Sequence, residues 1–143
     1  GELRPHYERL AAELGIADRT VFAGRIADVP AYLQRLAIGV MCSDSEGFSN
    51  AVLEYMLSGC AVVATSVGGN LEAVHDGRTG LLVPPGNDIA LASALSRLIE
   101  ERGTRAMLAR QARAMGEAEF GWEPCVEGHQ EHYRAALSAA SGG

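Results

Sequence analysis

Residues 43–65 read S-D-S-E-G-F-S-N-A-V-L-E-Y-M-L-S-G-C-A-V-V-A-T, and this stretch decides the predicted fold. It begins with a polar loop that contains one glycine, continues with a helical pattern over about residues 51–58, and ends with an apolar strand at residues 61–64. Gly59, directly after the helical pattern, is a residue that commonly ends a helix. A loop, a helix and a buried strand in this order are typical of one repeating unit of a parallel α/β sheet.

The same alternation extends in both directions along the chain. Further strands are predicted at residues 20–23, 38–42 and 80–83, and helices at residues 3–14, from Asp28, at 71–75, after Asn87 or Asp88, from Thr104, and at 122–137. Asp28 and either Asn87 or Asp88 are expected to cap their helices. Because the strands are continuous apolar runs, we expect helices on both faces of the sheet. The predicted fold class is α/β, a doubly wound parallel sheet that is Rossmann-like.

The composition excludes several classes of protein. The 143 residues carry a net charge of -6, and all twelve basic residues are arginines, a balance that argues against general nucleic-acid binding. No apolar run approaches the roughly 20 residues that span a bilayer. Cys42, Cys60 and Cys125 form no paired motif, so we expect reduced thiols, with Cys42 and Cys60 as small core residues beside strands.

We expect the functional site at the carboxyl ends of the predicted strands, because ligands of doubly wound folds bind there. Four segments follow these strand ends, at residues 24–26, 43–50, 65–70 and 84–87. Three of the four are rich in glycine, serine or asparagine. One edge of the sheet is therefore expected to carry the chemistry.

The loop and helix of the opening stretch hold two carboxylates, Glu46 and Glu54, eight positions apart. Ser49 and Asn50 are expected helix caps, and Gly47 lets a ligand approach the backbone at a helix start that favours a diphosphate. A carboxylate can accept two O–H bonds from a vicinal diol. The spacing is equally compatible with a plainer interpretation, in which one acid favours the helix dipole and the other is a surface loop residue.

These residues resemble the signature of the family-4 retaining glycosyltransferases, which is E-x7-E within S-E-G-F-x-x-x-x-L-E-x-M-x-x-G-x-x-V-V-A-T. Residues 21–30, 67–72 and 76–83 resemble the segments that flank this signature, and the resemblance extends from about Leu3 to Tyr133. Ala61 stands where the family usually has proline, which we interpret as a packing variation.

The resemblance implies a GT-B architecture, with two Rossmann-like domains and an active site in the cleft between them. Residues 1–143 would be one nucleotide-sugar-binding domain, with its first strands, a basic Arg/Lys pair and the N-terminal acceptor domain outside the sequence. The implied donor is a UDP- or GDP-linked sugar, with no cofactor and no metal. The acceptor would be a glycan or a lipid-linked sugar in polysaccharide assembly, bound by the other domain. The implied location is the cytoplasm, including the inner membrane face, with any membrane contact made outside residues 1–143.

The resemblance also assigns roles residue by residue. Glu46 would be the catalytic-site acid that positions the donor sugar, and Glu54 would hold the ribose. The remaining implied donor-binding residues are Gly47, Phe48, Ser49 and Asn50 at the diphosphate, and Arg25 and Ile26 at the nucleobase.

Other interpretations remain open. A nucleotide-sugar epimerase of GT-B fold and a non-catalytic nucleotide-binding module are the two alternatives, whereas a dehydrogenase is disfavoured because no G-x-G-x-x-G follows a strand. His129 and His132 have metal-ligand spacing, but without a third ligand an exposed helix face is the preferred interpretation. Trp122 and Tyr133 belong to an apolar stripe that we expect to serve docking or core packing.

Overall fold

The computed structural model describes residues 2–141. In chain order, these residues form α1 (Arg4–Glu13), a 3-10 turn (Ala17–Arg19), α2 (Val29–Leu33), β1 (Ile38–Met41), α3 (Asn50–Leu57), β2 (Ala61–Thr65), α4 (Asn70–Ala73), β3 (Leu81–Val83), α5 (Asp88–Glu100), α6 (Arg102–Phe120) and α7 (Trp122–Ser141). The fold comprises two compact units, the first ending at Tyr32 and the second beginning at Leu33.

The second unit contains a three-stranded parallel sheet in the order β1-β2-β3. Ile38 aligns with Ala61 in the first strand pair, and Val63 aligns with Leu81 in the second. Every residue of the central strand β2 is buried, as expected for a strand that is covered on both faces. The three strands predicted at residues 38–42, 61–64 and 80–83 are confirmed.

Side chains of β2 alternate between two hydrophobic clusters because successive residues of a strand point to opposite faces. The first cluster contains Val52 and Met56 of α3 with Val62 and Ala64 of β2, and the second contains Ala94 and Leu98 of α5 with Ala61 and Val63 of β2. Helix α6 contributes to both, through Ala112 in the first and Leu108 in the second. Burial of each Val, Leu or Met side chain stabilises the fold by about 1.5–3 kcal/mol. The helices therefore cover both faces of the sheet, and the predicted fold class is confirmed.

Gly39 allows α3 to pack closely on β1. A Cβ atom at this glycine would lie within 2.7 Å of several ring atoms of Tyr55, so no larger residue fits without displacing that ring. The Tyr55 hydroxyl donates a hydrogen bond to the carbonyl of Val40 at 3.5 Å. Burial is the main factor that raises the pKa of Tyr55, and the nearby Cys60 and Glu54 raise it further.

Several element ends follow the sequence pattern. Asp28 accepts a hydrogen bond from the amide of Ala31 at 3.0 Å, and Asn87 accepts one from the amide of Ala90 at 2.9 Å, so both predicted caps form. Cys60 is buried as predicted, and its thiol donates to the carbonyl of Leu33 at 3.4 Å. Cys42 is exposed, because it lies one residue beyond the end of β1, so its prediction as a core residue is wrong.

The prediction of a strand at residues 20–23 is wrong. These residues are irregular, and Val21 is 84% exposed. A strand needs neighbours that pair with its backbone N–H and C=O groups. The sheet in the described part of the chain consists of β1, β2 and β3, and residues 20–23 do not belong to it. A smaller difference is that α6 begins at Arg102 rather than Thr104.

Candidate functional site

Three of the four segments predicted at the functional edge follow parallel strands of one sheet. Residues 42–50 follow β1, residues 66–69 follow β2, and residues 84–87 follow β3. Parallel strands place their carboxyl ends at the same edge, so these loops are neighbours. The fourth segment, residues 24–26, belongs to the first unit.

Glu46 is held by its own loop. The Ser43 hydroxyl donates a hydrogen bond to Oε1 of Glu46 at 2.6 Å, and the Thr65 hydroxyl donates one to the Ser43 carbonyl at 2.7 Å. Glu46 is half-buried, and Thr65 is the last residue of the buried strand β2. The position of this carboxylate is therefore tied to the centre of the sheet through two short hydrogen bonds.

Gly68 and Gly69, which follow β2, pack directly against the backbone of the Glu46 loop, and we call this pair the glycine platform. The amide of Gly69 donates a hydrogen bond to the Gly47 carbonyl at 2.8 Å. A Cβ atom at Gly69 would lie 2.7 Å from the Cα atom of Phe48, and one at Gly68 would overlap the carbonyl of Glu46. Real Cβ atoms essentially never approach other atoms within 3.0 Å. The two loops therefore pack backbone against backbone, at a distance that only glycine permits.

The start of α3 has no side-chain cap. Ser49 occupies the N-cap position, but it is 4% exposed and its side chain makes no capping hydrogen bond. Asn50 is already the first residue of the helix, so the prediction that both residues act as caps is wrong. The first turn also lacks an acidic residue. The first amides of α3 therefore stay open to an anionic group, which a helix start favours through its N–H groups and its dipole.

Glu54 lies one turn after Asn50 on α3 and is exposed. The opposite face of the helix carries Val52 and Met56, which are fully buried. Helical side chains lean toward the helix amino end, so Glu54 leans toward the open start of α3. The helix is buried on one face only, since Leu57 is 38% exposed. An exposed face removes the desolvation cost expected for an acid on an apolar helix.

The profile of the family described as "Glycosyl transferases group 1" matches residues 1–101. This chain belongs to the group 1 glycosyl transferases. The predicted membership of glycosyltransferase family 4 is thereby confirmed. The D-inositol 3-phosphate glycosyltransferase of Acidothermus cellulolyticus is 38% identical over 131 residues, which are 90% of this chain and 29% of the relative. The chain thus spans less than a third of the length of that relative.

Solved structures agree with the family and fix the fold as that of the GT-B glycosyltransferases. Sucrose-phosphate synthase from Thermosynechococcus elongatus superposes with a TM-score of 0.89 at 32% identity, covering 97% of this chain and 35% of the synthase. The Anabaena protein HepE in complex with UDP superposes with a TM-score of 0.84 at 29% identity, covering 94% of this chain and 36% of HepE.

Some residues that build the candidate site were not singled out by the sequence. Ser43 and Thr65 anchor the Glu46 loop, and Phe120 packs its ring on that of Phe48, which the sequence did predict, with the ring centroids 5.3 Å apart. Asn70 is fully buried, and its amide nitrogen donates to the Thr65 carbonyl at 3.0 Å. The available signals were the Gly-Gly-Asn run and the serine three positions before Glu46, but neither reveals its partner.

Arg25 and Ile26 follow Gly24, whose φ of 68° places it in the left-handed region that favours glycine. Arg25 is exposed and Ile26 is half-buried, on an irregular segment of the first unit. Their assignment to the nucleobase stays a prediction.

The two helical histidines bond within their own helix. Nδ1 of His129 lies 2.8 Å from the Cys125 carbonyl, and Nδ1 of His132 lies 2.9 Å from the Gly128 carbonyl. Among the residues that the structure describes, no group of three or more His, Cys, Asp or Glu side chains is arranged to hold a metal ion. Within the same residues, no helix combines the length and apolar character needed to cross a bilayer.

Trp122 and Tyr133 of the apolar stripe are exposed, so these two side chains do not pack in the core.

Proposed function

We propose that this chain is the donor-binding half of a retaining glycosyltransferase that uses a nucleotide-diphosphate sugar. The observation that carries the proposal is the uncapped start of α3 together with the nearby carboxylate of Glu46. Ser43 holds this carboxylate through a hydrogen bond, and the glycine platform, Gly68 and Gly69, packs against its loop. An open helix start suits a diphosphate, and a fixed carboxylate suits sugar hydroxyls.

The diphosphate lies at the backbone of Gly47, Phe48 and Ser49 and at the first turn of α3. No acidic side chain in that turn repels it. Glu54 leans toward the same end of the helix from an exposed face, where its two oxygens accept hydrogen bonds from the ribose diol. Contact of the nucleobase with the backbone of Arg25 and Ile26, in the first unit, rests on the resemblance alone.

In the reaction, the bond between the anomeric carbon and the diphosphate oxygen breaks, and the acceptor oxygen forms a new bond to that carbon. Retention follows if the acceptor attacks from the face that the diphosphate leaves, and the acceptor proton then passes to a diphosphate oxygen. The open amides of α3 stabilise the developing negative charge on the leaving group. Glu46 orients the donor sugar and lies near the developing positive charge, without acting as a nucleophile.

The similar proteins support a nucleotide-sugar donor. HepE has been solved with UDP and with UDP-glucose, and the relatives include sugar-transferring enzymes by name. A UDP-linked sugar is therefore our first choice of donor and a GDP-linked sugar the second. The acceptor is a glycan or a lipid-linked sugar, which another part of the intact protein helps to bind.

The test is calorimetric titration of the intact protein with UDP and, separately, with GDP. Glu54→Gln should weaken nucleotide affinity about tenfold or more, because a hydrogen bond to a charged group contributes roughly 1.5–3 kcal/mol. Glu100→Gln, which changes an exposed glutamate on α5, is the matched control and should bind like the unmodified protein. Equal affinity of the Glu54→Gln variant would refute the ribose role. Isomerisation of a donor sugar in the absence of any acceptor would instead favour an epimerase.

A further inference from the structure

A separate cavity of about 220 Å³ opens at the same edge of the sheet. Residues at or just after the carboxyl ends of the three strands line it, including Asp44 after β1, Thr65 as the last residue of β2, and Pro84 after β3. Asp88 and Leu91 of α5 form its far wall. None of the residues assigned to the donor, from Glu46 to Asn50 or at Glu54, lines this cavity.

The lining selects a particular kind of ligand. Asp44 and Asp88 are exposed carboxylates, which accept hydrogen bonds from hydroxyl groups and repel phosphate groups. Pro84, Val83 and Leu91 supply apolar surface on which the C–H face of a ring can pack. The chemistry therefore fits a neutral ring that carries several hydroxyl groups, and it disfavours a nucleotide or another phosphate.

The size of the cavity and its position next to the Glu46 loop further restrict the ligands that fit it. The volume is below the roughly 300–1,000 Å³ of sites for drug-sized ligands, so it accommodates about one ring. Asp44 lies between Ser43 and Glu46 in sequence, and Thr65 both lines the cavity and donates its hydroxyl to the Ser43 carbonyl. The cavity and the Glu46 loop thus share the buried anchor at the end of β2.

We propose that this cavity is an acceptor subsite, which binds a neutral monosaccharide or cyclic polyol ring beside the donor sugar. The inference rests on the proposed function, because the donor must occupy the Glu46 loop for a second ring in the cavity to be an acceptor. The donor-binding half of the enzyme would then take part in acceptor recognition, through Asp44 and Asp88.

The experiment is a titration of the isotopically labelled intact protein, saturated with UDP, followed by amide chemical shifts. The probes are glucose, myo-inositol and inorganic phosphate. We expect at least one of the two neutral probes to shift the amides of Thr65, Gly86 and Leu91, and phosphate to leave them unchanged. Asp44→Asn should weaken affinity for that probe about three- to tenfold, because a charged hydrogen-bond acceptor is lost. Affinity for UDP should stay the same.

Asp18→Asn, an exposed aspartate of the first unit, is the matched control and should bind both UDP and the probe normally. Asp88→Asn is a second variant, with the same expected effect as Asp44→Asn. The inference is overturned if UDP binds but neither neutral probe shifts the cavity amides, if phosphate shifts them, or if both variants bind the probe as tightly as the unmodified protein. A loss of UDP affinity in Asp44→Asn would also overturn it, because the cavity would then belong to the donor site. Failure of the unmodified protein to bind UDP or GDP would refute the proposed function, and the acceptor assignment would fall with it.

Discussion

Gly69→Ala tests the idea that the glycine platform holds the Glu46 loop in place. The added Cβ atom would lie 2.7 Å from the Cα atom of Phe48 and still closer to the Gly47 carbonyl oxygen. Both neighbours are backbone atoms, which cannot swing away as the end of a side chain can. Reaching a separation of 3.4 Å from the Phe48 Cα atom requires a movement of about 0.7 Å, the difference between these two distances.

The magnitude follows from two contributions. Overpacking of this kind typically costs about 1–3 kcal/mol. Displacement of the loop also weakens the hydrogen bond from the Gly69 amide to the Gly47 carbonyl, which contributes about 0.5–1.5 kcal/mol. Gly69 has a φ of -66°, which alanine adopts freely, so the effect is steric. We therefore expect Gly69→Ala to destabilise the fold by roughly 2–4 kcal/mol.

The assay combines urea unfolding with UDP titration of the folded protein. The Gly69→Ala variant should show a lower unfolding midpoint and, where it is folded, weaker UDP binding, because the displaced loop carries the amides that we propose bind the diphosphate. Gly103→Ala is the control, since a Cβ atom there meets nothing within 4 Å and alanine favours the helix. An unchanged midpoint together with unchanged UDP affinity in Gly69→Ala would refute the reasoning.

Three other predictions concern single side chains. Glu46→Gln should lower kcat about tenfold or more with little change in UDP affinity, because it weakens charged contacts to the sugar and not to the nucleotide; unchanged turnover in a transfer assay would contradict this. Asn70→Ala should lower the free energy of unfolding by about 1–3 kcal/mol in urea, since the Thr65 carbonyl loses a buried donor; a value near zero would argue against that bond. Burial raises the pKa of the Cys60 thiol, so the unfolded chain loses this proton at lower pH than the folded one. The contribution of Cys60 to stability is therefore intact below about pH 8.5 and declines as the pH rises toward the folded pKa. The melting temperature of Cys60→Ala should therefore fall less steeply with pH over that range than the melting temperature of the unmodified protein.

The local signals in the sequence predicted much of the fold. Apolar runs located β1, β2 and β3 to within about one residue, and the caps at Asp28 and Asn87 formed as expected. These features depend on residues a few positions apart, which a sequence displays directly. The strand expected at residues 20–23 depended on a pairing partner, which a propensity pattern does not supply.

The positions of Glu46 and Glu54 in the fold were predictable from the sequence, but the contacts that support the Glu46 loop were not. The sequence placed Glu46 in a loop at a strand end, as observed, and Glu54 early in a helix, where it is the fifth of the eight residues of α3. It did not show that the Gly69 amide donates a hydrogen bond to the Gly47 carbonyl, because these two residues are 22 positions apart and only folding brings them together. It also suggested a cap at Ser49 from residue type alone, whereas the buried side chain of that serine leaves the helix start open.

The open helix start and the rigid loop depend on each other. A helix without a cap gives up about 1 kcal/mol of stability, and the fold has to recover this elsewhere. The Ser43–Glu46 bond, the Thr65–Ser43 bond and the glycine contacts restore order to the loop without occupying the amides of α3. A loop that was held by a serine cap would be just as rigid, but its cap would compete with an incoming diphosphate for the same N–H groups. Support from the β2 side therefore keeps the loop rigid while the amides of α3 stay open. The proposed electrostatic stabilisation of a diphosphate leaving group requires both properties.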